Sequence, residues 1–223
     1  MPSQNKKQTI LYAALLITAI TAPTCQTHAF SEDKNWPCIQ RKVSTLSAGQ
    51  MWRGEPFDTK DESWKSNKAV TDLVAKILPR RVPLTETEKH LQTFAASHKP
   101  TQEKPLQEVF LALLSETNQI RSEIISGINR YAKRQKALTI RITANSKKRD
   151  SLEQKDQAGT LTKQEDKDLQ QLDQALEWDK RIYEEREQSL EYVCEAPVIL
   201  EQRLFALSKQ IAKILTENKK NTP

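Results

Sequence analysis

The segment Leu169-Gln170-Gln171-Leu172-Asp173-Gln174-Ala175-Leu176-Glu177-Trp178-Asp179-Lys180-Arg181-Ile182-Tyr183 sets its seam positions at steps of three and four. The series continues through Arg186, Leu190, Val193, Pro197, Leu200, Leu204, Leu207, Ile211 and Ile214, and eleven of its fourteen members are apolar or Tyr. Such alternation marks a heptad seam on a long α-helix. A matching series precedes it: Phe110, Leu113, Thr117, Ile120, Ile124, Ile128, Tyr131, Gln135, Leu138, Ile142, Asn145, Arg149 and Leu152. Only Ala158-Gly159-Thr160 interrupts the two. The pattern predicts an antiparallel helical hairpin over residues 101–223 with its turn near 157–162. Folding about Gly159 then pairs residues whose numbers sum to about 318.

Three oddities meet in that register. The first helix takes a three-four-four step through Thr117, Ile120, Ile124 and Ile128, a stutter that unwinds a supercoil locally, and Gly127 sits inside it. Opposite lies Pro197, which should kink or restart the second helix. Cys194 is one turn from it. Below this level the apolar faces are broad, with Val109, Phe110, Leu111, Leu113 and Leu114 facing Val198, Ile199, Leu200, Leu204, Phe205, Ile211 and Ile214. A broad face needs more than one partner. Above it only a narrow seam remains.

The partners are two short helices in residues 64–100. One is expected from Trp64 to Leu78, with Val70, Leu73, Val74, Ile77 and Leu78 on one face and Pro79 as its stop. The other should open with a capping box of Thr85 and Glu88 and carry Leu91, Phe94 and Ala95 as its stripe. Residues 30–63 lack periodicity and read as an irregular strap. The fold class is therefore all-α: a four-helix base from which a coiled-coil hairpin projects, ~43 Å long from Arg130 to Ala158 at 1.5 Å per residue.

Composition agrees. The 223 residues are 37% hydrophobic and 6% aromatic, with only four glycines. Sheet turns and phosphate loops need more glycine than that. No G-x-S-x-G, H-E-x-x-H, G-x-G-x-x-G or G-x-x-x-x-G-K string occurs. Glu86 and His90 stand four apart but have no further histidine beside them, so no metal or other cofactor is expected. Glu116 and Glu123 read as salt-bridge partners within the bundle rather than as a catalytic dyad.

Lys6 and Lys7, the apolar run Ile10–Ala22 and Thr27-His28-Ala29 together read as a secretory signal over residues 1–29, cut after Ala29. Thirteen apolar residues fall short of the ~20 a spanning helix needs, so no transmembrane segment is expected in the mature chain. Ala22-Pro23-Thr24 before Cys25 makes a poor lipoprotein signal. The expected location is a bacterial periplasm. Cleavage leaves two cysteines, Cys38 and Cys194, and an even pair in an exported chain reads as a disulfide. Closing so long a loop stabilises by ~5 kcal/mol on a chain-entropy argument.

The strings Trp36-Pro37-Cys38-Ile39-Gln40-Arg41, Gly127-Ile128-Asn129-Arg130-Tyr131 with Arg134-Gln135, and Tyr192-Val193-Cys194-Glu195 with Pro197 resemble a group of small exported proteobacterial proteins without an assigned activity. The resemblance implies export and the cysteine pair. It brings no catalytic residues.

From Arg130 to Arg149 there are eight basic residues and no acidic one. Asp173, Glu177, Asp179, Glu184, Glu185 and Glu187 face them in the hairpin register, beside Lys180, Arg181 and Arg186; the segment sums to +5, and most of the block is expected to find partners within the chain. A nucleic-acid partner is not expected, because the strip has no interleaved aromatics and the chain is exported. The expected partner is another exported or envelope protein, met through Lys147, Lys148 and Arg149 on the arm or Arg80 and Arg81 on the base. The function read from these features is a non-enzymatic periplasmic adaptor or scaffold. A holdase chaperone with a coiled-coil prong is the alternative, against which stands the lack of any strand-rich segment. A ligand-binding protein or enzyme would need a pocket lined by Trp36, Trp52 or Trp64. Sequence leaves the oligomeric state open.

Overall fold

The structure, a computed structural model, describes residues 35–99 and 101–220; the expected signal at 1–29 lies outside the described residues, as do residues 30–34. The described chain is all-α and holds no strand. Its order is α1 (Ala48–Met51), a 3₁₀ turn (Ser63–Ser66), α2 (Lys68–Ile77), α3 (Leu84–Ser97), α4 (Glu103–Gln157) and α5 (Lys163–Lys220). The last two, 55 and 58 residues long, form the antiparallel hairpin. No helix among the described residues is long and apolar enough to cross a membrane.

Local chemistry sets each boundary. The single helix expected over 64–78 is instead a 3₁₀ turn followed by α2. The break is at Asn67, whose side chain accepts from Val70 N at 3.4 Å and donates to Glu108 at 2.8 Å. The Thr85–Glu88 capping box does not form. Pro83, with φ −61° and ψ 145°, is the N-cap instead and starts α3 two residues early. Glu88 turns to Lys213 at 2.9 Å. Thr87 takes the buried position, donating to Leu84 O at 2.8 Å and Gln210 Oε1 at 3.0 Å. Pro105 sits in the first turn of α4, where a missing N–H costs nothing.

The hairpin turn is built from both ends. Gly159, at φ +66°, and Thr160 donate to Asp156 O and Lys155 O at 2.9 Å each, closing α4 as a Schellman motif. Glycine is favoured at that left-handed position. Thr162 and Glu165 then open α5 reciprocally: Thr162 N donates to Glu165 Oε2 at 3.0 Å and Glu165 N to Thr162 Oγ1 at 3.3 Å.

The core lies in the base, where α2, α3 and the lower halves of α4 and α5 enclose Val70, Ile77, Leu91, Leu106, Phe110, Leu113, Leu204, Leu207 and Ile211. Leu46 and Met51 of the strap cover one side of it. Along the arm the buried residues thin out to Leu138 and Leu152 on α4 and Leu176 and Asp179 on α5. Cross-hairpin bonds fix the register. Arg121–Pro197, Tyr131–Arg186, Gln135–Tyr183, Arg141–Asp179 and Arg149–Asp173 all sum to between 317 and 322. Pro197 does not restart α5, which is one helix through it.

Two predictions come from these elements. Gly127 is helical, and a Cβ there would meet only the Arg130 guanidinium at 3.8 Å. Gly127→Ala is therefore expected to raise stability by about 0.5–1 kcal/mol in thermal or urea denaturation; a loss would mean that the helix needs a glycine there. At the tip, Lys155 and then Thr162 hold the Glu165 carboxyl down at about 2, against an ordinary 4.5. A depressed carboxylate stabilises the fold above its unfolded value, and that contribution fades as pH falls through the folded one. The tip should thus tighten above about pH 4.5 and loosen toward pH 2. An NMR titration of Glu165 with its midpoint near the ordinary value would show the cap unformed.

Candidate binding surface at the strap and arm

The strap crosses the hairpin where the broad base narrows to the arm, and three ties hold it. Cys38 is bonded to Cys194 of α5, with S–S 2.06 Å and Cα–Cα 5.6 Å. One helical turn below Arg121, Asn118 reads the backbone of Leu46 as a strand would, accepting its N–H at 2.8 Å and donating to its carbonyl at 3.0 Å. Arg121, only 2% exposed, is the third. Its Nη1 donates to Pro197 O at 2.6 Å and its Nη2 to Val43 O at 2.8 Å, and Glu201 lies 3.6 Å away. Burial draws its pKa down and Glu201 opposes that shift. One guanidinium thus joins the strap, α4 and α5.

Above these ties the strap's Trp36 and Pro37 stand against the arm and form a groove of about 570 Å³. Trp36 is fixed by its own Nε1–H, which donates to Gln40 O at 2.6 Å, and Lys42 lies 5.7 Å from the ring centre. Tyr131 and Tyr183 line the groove, the Tyr131 hydroxyl donating to Arg186 O at 2.6 Å. Burial raises the Tyr131 pKa, so the phenol stays protonated and a donor. Gln135 donates to Tyr183 O at 2.9 Å. Around the disulfide, Ile39 is fully exposed and Tyr192 and Val193 are exposed as well.

The charge on the arm is less neutralised than the register implies. Arg141 grips the buried Asp179 through Nε and Nη2 at 2.7 and 2.5 Å. Arg149 bonds Asp173 at 2.8 Å and also engages Glu153 and Asp150. Among the described residues no ion pair reaches Arg130, Lys133, Arg134, Lys136, Lys147 or Lys148, all of them exposed. Glu184, Glu185 and Glu187 are equally without one, and Glu177 turns to Arg181 on its own helix. Helix axes pack 8–10 Å apart, so only side chains flanking the seam span the gap. Residues on the outer faces do not.

The residues singled out in the sequence fall in separate places. Lys147 and Lys148 are exposed near the tip, whereas Arg149 is occupied within the chain. Arg80 and Arg81 are exposed in the turn after α2. The tryptophans share no pocket. Trp36 walls the arm groove. Trp52 packs on Phe110 and Phe57, with ring centres 4.7 and 5.0 Å apart, beside a cavity of about 230 Å³ in the base. Trp64 packs against the core from the 3₁₀ turn. Arg203 donates to the Ile77, Leu78 and Val82 carbonyls at 2.6–2.9 Å and so closes the end of α2. Glu86 and His90 form an i,i+4 pair at 3.6 Å. Among the described residues no three His, Cys, Asp or Glu side chains gather as metal ligands. Sequence reasoning missed Asn118 as a tie and Ile140 as part of a surface. Arg121 had a signal, lying one residue from Ile120 in the stutter. Comparison with family models, curated proteins and solved structures finds no match.

Removing the Arg121 guanidinium takes a charged donor from the buried Pro197 carbonyl and from the part-buried Val43 carbonyl, and a hydrogen bond to a charged group contributes about 1.5–3 kcal/mol. Arg121→Met is expected to lower stability by about 2–4 kcal/mol in urea denaturation and to increase proteolysis of the strap before that of the hairpin. Unchanged stability would show that the disulfide and Asn118 hold the strap without Arg121.

Proposed function

We propose that the protein is a non-enzymatic adaptor or scaffold of the periplasm, engaging another exported or envelope protein through its arm. The observation that carries this reading is the row of exposed basic side chains, Arg130, Lys133, Arg134, Lys136, Lys147 and Lys148, without ion-pair partners among the described residues. A bundle stabilised for its own sake gains nothing from six like charges on one helix. Charges so placed steer an acidic partner and set its orientation. The disulfide-pinned strap supports the same reading, because it covers the base and leaves the arm two helices thick. Export rests on the signal-like residues 1–29 and on the cysteine pair.

The test is photo-cross-linking in intact cells from reactive residues placed at Arg134 or Lys148, with Arg81 of the base as the comparison site. One dominant cross-linked exported protein from the arm positions, weakened by Lys147→Glu with Lys148→Glu and by salt, is expected. A spread of unfolded outer-membrane clients would instead favour a holdase chaperone. Cross-links confined to Arg81 would move the interaction to the base, and retention of the chain in the cytoplasm would overturn the reading altogether.

A further inference from the structure

The groove beside the strap has the dimensions of an extended chain. On α4 it runs from Tyr131 to Ile140, about 13 Å of helix at 1.5 Å per residue. An extended peptide rises about 3.3 Å per residue, so four residues span it. Its volume of about 570 Å³ falls among ordinary ligand sites, roughly 300–1,000 Å³, yet it lies open along one side. That shape suits a strand laid across it better than an enclosed small molecule. Its apolar surface is uncovered on the described side: Ile140 is 62% exposed, and Trp36 and Leu190 are each partly so. Its charge is one-sided. Lys133 and Lys136 line it with no ion-pair partner among the described residues, and Glu187 is the only carboxylate among its described lining residues.

We infer that this groove seats a short, extended, acidic peptide segment of an exported partner. An aromatic or large aliphatic side chain of the peptide lies against Trp36 and Ile140, and its carboxylates face Lys133 and Lys136. The anchor supplies contact area, because aromatic rings pack on Trp and Tyr faces with little entropy lost. The lysines supply orientation and rate of association. The inference rests on the adaptor reading and names the chemistry that the partner must present.

Fluorescence anisotropy on the oxidised mature protein tests it, with labelled acetyl-Glu-Phe-Asp-Glu-Leu-amide as probe and its counterpart with lysine in place of every acid as control. The acidic peptide should bind saturably, the lysine peptide should not, and rising salt should weaken the complex. Lys133→Glu with Lys136→Glu should weaken binding at least tenfold. So should Ile140→Glu, a change at an exposed side chain whose effect on folding is checked by circular dichroism. Arg80→Glu with Arg81→Glu should leave affinity unchanged. Equal binding of both peptides, no saturable binding, or affinity indifferent to the Lys133, Lys136 and Ile140 changes would overturn the inference. Self-association abolished by Ile140→Glu would also overturn it, assigning the groove to a second copy of the chain. The two readings fail separately: an arm cross-link to a partner without peptide binding removes the groove alone, whereas peptide binding without any exported partner removes the adaptor alone.

Discussion

Two helices packed side by side bury one stripe from each, and every other feature of this protein answers to that limit. In the lower half of the hairpin the apolar surface exceeds a stripe: Val109, Phe110, Leu111, Ala112 and Leu113 are five consecutive buried residues, which point around most of the α4 circumference. They cannot all face α5. α2, α3 and the strap's Leu46 and Met51 cover what α5 leaves. Each fully buried aliphatic or aromatic side chain contributes about 1.5–3 kcal/mol, so the base holds most of the hydrophobic stabilisation. The arm, with four well-buried residues over its length, adds little.

Covering a base with short helices and irregular chain creates a second demand, since these segments end within reach of the core and their backbone groups need partners. Side chains on the two long helices meet it. Arg203 closes the end of α2, Gln210 bonds Leu84 O at the start of α3, Glu108 holds Ser63 and Asn67, Asn118 holds Leu46, and Arg121 holds Val43. Arg203, Gln210, Asn118 and Arg121 thus serve backbone elsewhere in the chain, and Glu108 takes the side chains of Ser63 and Asn67. Arg121 shows why the ties are charged as well as polar. A guanidinium has several N–H donors in a fixed fork and stays protonated when buried, so a single side chain satisfies two carbonyls on different elements.

This division explains what could be read in advance. The hairpin, its turn and its register were legible because seam spacing is a local pattern repeated over many turns, and Gly159 punctuates it once. The core faces of α2 and α3 were legible for the same reason. The ties were not, because each depends on which backbone atom comes within 3 Å in three dimensions. The Thr85–Glu88 motif misled because Pro83 fixes φ before the capping residue has a choice. The cysteine pair was legible from parity. The groove was illegible, since Trp36 and Ile140 lie on segments that nothing local connects.

The distribution of charge follows from the same narrowing. In a wide bundle an outer-face lysine finds acids on several neighbours; on a two-helix arm it has one neighbour, and only flanking positions reach it. Arg141 and Arg149 flank the seam and are paired, whereas Lys133, Lys136, Lys147 and Lys148 have no ion-pair partner among the described residues. Asp179 inverts the rule. It sits in the seam, 4% exposed, where a leucine would pack, and only the bidentate bond from Arg141 makes a carboxylate tolerable there. A polar residue at a seam position trades stability for register. In an arm with so few apolar contacts to fix its pairing, the Arg141–Asp179 bridge and the Tyr131 and Gln135 bonds to α5 carbonyls hold the helices in one alignment, and the outward charges keep fixed positions as a result.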